Sequence, residues 1–211
     1  KKKDPGKMKQ MGTGRSYTIK ELASYSFLLE HFYIVDETTS MTKQDLNGTK
    51  LVTMDLSAKL GKEEPLVLIY HTHGSETYKK VNGKEGSVIE VGTALTKELE
   101  NVYGIKTVHD KSVYDMVDGQ LDRNAAYNFA GDSVEAALRK NPSVKVVIDL
   151  HRDSVENNIH LRTKINGKSA AQIMFFNGVR GISVIFIIQT RRQIWHSACR
   201  CSFYVENIIQ I

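Results

Sequence analysis

Two kinds of hydrophobic pattern alternate along this chain, and their order predicts the fold. Over residues 18–33 (TIKELASYSFLLEHFY) apolar positions recur at helical spacing, with Thr18 as N-cap and Glu21 as its capping-box partner. Residues 36–56 are mixed, with Thr38-Thr39-Ser40 and Asn47-Gly48 as turn signals. After Pro65 a short apolar run over 66–70 reads as a buried strand that ends at His71-Thr72-His73-Gly74. A helix over 91–103 stops at Gly104; a strand at 105–108 and a helix at 122–140 follow, the latter ending before Asn141-Pro142. Residues 144–150 (VKVVIDL) are almost continuously apolar, as in a strand covered on both faces. Strand, helix, strand, helix, strand implies right-handed crossovers. The expected fold is therefore α/β, with a mostly parallel or mixed central sheet flanked by helices.

Charge changes the picture only once it is located. The formal net charge is +5, and the first fifteen residues alone hold six basic residues against Asp4. The remaining 23 basic and 23 acidic residues cancel, so the folded part offers no excess charge for a nucleic-acid face. Residues 1–16 read as a basic, disordered linker, and 17–64 as an N-terminal helix with a lead-in segment. No run reaches the ~18–20 apolar residues of a membrane helix. Lys1-Lys2-Lys3 leads into Asp4-Pro5-Gly6, not into the apolar stretch of a secretory leader.

The texture shifts after Arg180. Residues 181–211 contain one acidic residue, Glu206, no Lys or Pro, the only Trp and both cysteines, Cys199 and Cys201. A C-x-C pair on a strand does not readily close on itself, and two sulfurs are too few for a structural zinc site. This stretch reads either as a strand pair or as an atypical, frameshifted tail.

Candidate chemistry gathers where two strands end. Ligands in open α/β sheets bind outside the carboxyl ends of the strands, and here those ends carry His71-Thr72-His73-Gly74-Ser75-Glu76 and His151-Arg152-Asp153. His73, Glu76 and His151 supply the two imidazoles and one carboxylate of a catalytic zinc site, with a fourth position left for water. Spacing leaves open which of His71 and His73 ligates. His73 is favoured, since Gly74 lets the backbone bend and Glu76 lies one turn on; His71 is then a supporting or packing residue. Asp149 either orients an imidazole or caps a strand-end amide. Arg152 either pairs with Asp153 or holds a substrate carboxylate or oxyanion. His109 reads as a substrate-facing or a solvated histidine, and Tyr78 as the tyrosine best placed for substrate contact. His31, His160 and His196 read as structural. No G-x-S-x-G elbow, phosphate loop or dinucleotide fingerprint is present, and nothing in the pattern activates Ser75.

LVLIYHTHGSETY, VGTALTKELENVYGIKTVHDKSVYD, VKVVIDLHRDS and INGKSAAQIMFFNG together resemble the stage II sporulation protein P family, as does the upstream LLEHFYIVDETTSMTKQDLN. The resemblance covers about residues 28–178, with separated blocks agreeing in order and spacing. It implies a zinc-dependent N-acetylmuramoyl-L-alanine amidase of cell-wall type, reported also to cut peptide cross-links and acting on peptidoglycan during forespore engulfment. It further implies an extracytoplasmic protein tethered by an N-terminal membrane helix that this chain lacks, working with a stage II sporulation protein D-type transglycosylase.

On this resemblance His73, Glu76 and His151 are the metal residues, and 65–180 is the catalytic domain. Family members continue past the I-N-G-K-S block to a strand whose I-E-x-G-type motif supplies a catalytic glutamate. No such motif follows here, so the expectation is an incomplete C-terminal part and a zinc amidase whose turnover the missing glutamate puts in question. A zinc carboxypeptidase-like hydrolase, or a non-catalytic module that binds peptidoglycan or a partner, are the alternatives.

Overall fold

The computed structural model describes residues 16–35, 40–55, 63–78, 86–152, 162–165, 167–177, 184–188 and 199–201. The fold is mixed α/β. The chain divides into two units, one formed by residues 1–7, 59–153 and 184–187, the other by 8–58, 154–183 and 188–211.

In the second unit, the helix expected over 18–33 is two helices, α1 (Ile19–Ala23) and α2 (Tyr25–His31). The capping box is present, the Thr18 hydroxyl accepting from the Glu21 N–H while a Glu21 carboxylate oxygen accepts from the Thr18 N–H. Ser24 causes the break. Its backbone is extended and its hydroxyl caps α2 at the Phe27 N–H, so it ends one helix and starts the next. β1 (Tyr33–Ile34) follows. Asn47-Gly48, expected to turn, instead starts α3 (Gly48–Thr53), with the Asn47 side chain accepting from the Lys50 N–H.

The other unit carries the parallel sheet. β2 (Val67–Tyr70) buries Val67, Leu68 and Ile69 at its centre. α4 (Val88–Asn101) begins three residues earlier than its apolar pattern suggests, because Ser87 and Glu90 form a second capping box. Val88 and Gly92, one turn apart, are its buried positions, and the helix packs on β2, β3 and β6. β3 (Thr107–His109) is followed by a hairpin that the sequence reading passed over, β4 (Met116–Val117) and β5 (Gln120–Leu121). Its turn is Asp118-Gly119, both at positive φ (50° and 78°), the pairing a two-residue type I′ turn requires. α5 (Arg123–Lys140) takes Asp122 as N-cap and buries Ala126 and Ala130. β6 (Val146–Arg152) runs two residues beyond its expected end and so contains His151. β2 pairs in parallel with β3 on one side and with β6 on the other, with Tyr70 opposite Asp149.

Further elements are β7 (Arg162–Ile165) and β8 (Lys168–Ala171), an antiparallel hairpin turning at Gly167, then β9 (Met174–Asn177), β10 (Val184–Ile188) and β11 (Cys199–Cys201). β11 pairs antiparallel with β9 and β1, which puts both cysteines on one strand. Asp153, His160, His196 and Glu206 lie outside the described residues. His31 is structural as expected, stacked on Phe27 with ring centroids 4.0 Å apart. No described helix is long and apolar enough to cross a membrane.

Candidate active site

The register of β2 against β6 builds the site. β2 stops at Tyr70 opposite Asp149, whereas β6 continues through His151 and Arg152. The turn that follows β2 is therefore fastened to the end of β6. The Thr72 N–H and hydroxyl donate to Asp149 at 2.9 and 2.6 Å, and the Arg152 N–H donates to Glu76 Oε2 at 2.7 Å. Gly74 serves this turn by close approach more than by bending. A Cβ there would stand 3.0 Å from the Ser112 carbonyl oxygen and 3.1 Å from Val113 Cα.

His73 and His151 come together, their rings edge to face with centroids 5.1 Å apart and both side chains buried. Alternation along β6 puts Asp149 on the same face as His151, and Asp149 Oδ2 lies 2.9 Å from His151 Nε2. The separation is that of an ion pair, but the ring N–H does not point at the oxygen, so Nε2 makes no directed hydrogen bond among the described residues. Burial alone would raise the Asp149 carboxyl, yet the His151 contact and the Thr72 bonds hold it below the usual carboxylate range. Burial would likewise lower His151, and the Asp149 carboxylate outweighs it, so its pKa is raised. His73 is lowered by burial and by the neighbouring His151 and Arg123 charges. Burial raises the Glu76 carboxyl, partly offset by the Arg152 N–H and the charges of His151 and Arg123.

His71 and His109 form a separate pair. The His71 ring is fully buried, with Nδ1 2.9 Å from the Leu150 carbonyl oxygen and Nε2 2.9 Å from His109 Nε2. His109 is thus half-buried in β3 against His71, not in a solvated loop. Tyr78 has a buried hydroxyl with no hydrogen-bond partner among the described residues, and its pKa is raised by burial and by Glu76. Arg152 is half-buried at the end of β6.

Three further residues complete the surroundings of His73 and Glu76. Asp115, fully buried, accepts from the Ser75 N–H and hydroxyl and sits 4.0 Å from His73 Nδ1. Arg123 Nη1 lies 3.7 Å from Glu76 Oε1, and the Tyr127 ring meets His73 edge-on at 5.3 Å. The missed signal was Asp118-Gly119. A hairpin there brings Asp115 back beside Asp122, whose N–H donates to the Asp115 carbonyl, and so places the start of α5 against the His73 turn. Ser75 donates its hydroxyl to the Asp115 carboxylate.

The donor set fits zinc in kind. Two buried imidazoles, His73 and His151, stand beside a buried glutamate. Among the described residues, no three His, Cys, Asp or Glu donors converge closely enough to enclose an ion.

Fold and site define an α/β protein with a histidine–carboxylate centre at the carboxyl ends of its parallel strands. A sequence profile of stage II sporulation protein P matches residues 8–193, and the chain belongs to that sporulation family. The match continues past Arg180, where the sequence texture shifts. Stage II sporulation protein P of Bacillus subtilis (strain 168) is 28% identical over an alignment of 127 positions, and the match covers 55% of this chain and 31% of that protein. The chain thus spans about a third of its relative. No solved structure matches.

Proposed function

We propose that this chain is a zinc-dependent peptidoglycan hydrolase that cleaves the amide between N-acetylmuramic acid and L-alanine during forespore engulfment. The observation that supports the reading is the His73–His151 contact, two buried imidazoles next to Glu76. His73, Glu76 and His151 would hold the metal. When bound, zinc supplies Lewis-acid polarisation and acidifies water. The chain's own residues do the rest. Asp149 holds the His151 ring in place, and the Arg152 N–H orients Glu76. Arg123, half-exposed at the site edge, offers a cation to the carboxylates of a stem peptide. The family also suggests an extracytoplasmic, membrane-tethered protein acting with a stage II sporulation protein D-type transglycosylase.

Zinc content of the purified chain, measured with stem-peptide release from muropeptides, tests the reading. About one zinc per chain is expected, lost in His73→Ala/His151→Ala, with peptides freed at L-alanine. A folded wild type without zinc sinks the metal assignment. Zinc with muropeptide binding but no release favours a binding module instead.

A further inference from the structure

The hydrolase reading leaves Asp115 without a task. A carboxylate removed from water is costly unless its oxygens are satisfied, and Asp115 is fully buried. Its Oδ1 accepts from the Ser75 N–H at 3.1 Å and its Oδ2 from the Ser75 hydroxyl at 2.6 Å. Both bonds go to one residue, in the middle of the His73–Glu76 turn, and Gly74 packs that turn directly on Ser112 and Val113. Oδ2 keeps a second lone pair, and His73 Nδ1 stands 4.0 Å from it. That is about 1 Å beyond a charge-assisted N–H···O bond. Nδ1 is buried with no hydrogen-bond partner among the described residues, so an acceptor lies beside an unsatisfied ring nitrogen.

The geometry points to Asp115 as the positioning residue of His73: it clamps the turn through Ser75 and favours the ring tautomer protonated on Nδ1. A neutral imidazole has one donor and one acceptor nitrogen, so this choice leaves Nε2 as the acceptor. A histidine whose second nitrogen donates to a carboxylate is the arrangement that orients imidazole ligands and raises their basicity. What Nε2 then meets, a metal ion or a substrate proton, rests on the hydrolase reading; the tautomer does not.

Long-range nitrogen NMR on the metal-free chain, histidine-labelled, at pH 8 reads the tautomer directly, with the His73 signals assigned from His73→Gln. The wild type is expected to be mainly Nδ1–H. Asp115→Asn shifts the population toward Nε2–H, and Ser75→Ala, which keeps the carboxylate, leaves it at Nδ1–H. Zinc affinity falls about 10- to 100-fold in Asp115→Asn. A wild-type His73 that is mainly Nε2–H, or an Asp115→Asn tautomer identical to wild type, overturns the assignment. The wild-type spectrum decides the matter even if Asp115→Asn does not fold. A wild type that is Nδ1–H yet binds no zinc upholds Asp115 while the metal reading falls.

Discussion

At His71 the hydrogen-bond partners dictate where the protons sit. The Leu150 carbonyl only accepts, so His71 Nδ1 carries the proton and its Nε2 accepts from His109 Nε2–H, both contacts being 2.9 Å. A proton added to His71 Nε2 would break this bond, and one added to His109 would go to Nδ1, which is buried with no hydrogen-bond partner among the described residues. Burial lowers the pKa of both, and with the nearby His71 charge and Lys111 it takes His109 to about 4. A histidine depressed on folding contributes stability above its unfolded pKa of about 6.5 that is lost as pH falls toward the folded value. Urea unfolding midpoints of the wild type should therefore drop between about pH 6.5 and 4 more steeply than those of His109→Asn. Behind the pair stands Gly92, where a Cβ would lie 2.7 Å from His71 Nε2 and from His109 Nε2. Alanine improves helix propensity by about 1 kcal/mol, but overpacking against a ring pinned to Leu150 costs about 1–3 kcal/mol. Gly92→Ala should be net destabilising in thermal or urea melts. Sequence spacing singled out His71 and His109 but not that they face each other, because a parallel pairing between residues 38 positions apart leaves no local pattern.

Among the elements, capping side chains decided the boundaries more than periodicity did. Ser87 and Glu90 start α4 ahead of its apolar face, Ser24 splits the first helical stretch, and Asn47 turns an expected loop into α3. Thr18 and Glu21 were legible because a capping box is a purely local pattern. α5 depends on Asp122, whose carboxylate accepts from the Asn124 and Ala125 N–H groups, both at 3.0 Å. Asp122→Ala should cost about 1 kcal/mol by denaturant melt, and it loosens the turn that carries Arg123 and Tyr127 toward Glu76 and His73. In the other unit, a Cβ at Gly48 would fall 2.6 Å from the Leu22 carbonyl oxygen and 2.8 Å from Ala23 backbone atoms. Main chain does not swing aside as a side chain does. Gly48→Ala is accordingly expected to destabilise the α1–α3 packing by about 1–3 kcal/mol, seen as a lower melting temperature.

For the molecule as a whole, family membership and the His73–His151–Glu76 grouping lead to a linkage prediction. A metal that binds only the folded chain stabilises it in proportion to its saturation, by about 2.7 kcal/mol at a hundred times Kd. Zinc should raise the melting temperature of the wild type, a chelator should reverse the gain, and His73→Ala/His151→Ala should show neither effect. Calorimetric scans with and without zinc check this, and an unchanged wild-type melting temperature counts against the metal site.

The sequence alone determined the alternation of strands and helices, the parallel sheet and the histidines at its strand ends, since hydrophobic period and capping patterns act over a few residues. It also placed His73, Glu76 and His151 at strand ends where ligands gather. Tertiary structure decided the partners. The register of β2 against β6 sets Thr72 against Asp149 and the Arg152 N–H against Glu76, while the Asp118-Gly119 hairpin returns Asp115 to Ser75. Such contacts depend on strand register and loop closure, which join residues 40 to 77 positions apart and leave no trace in local pattern.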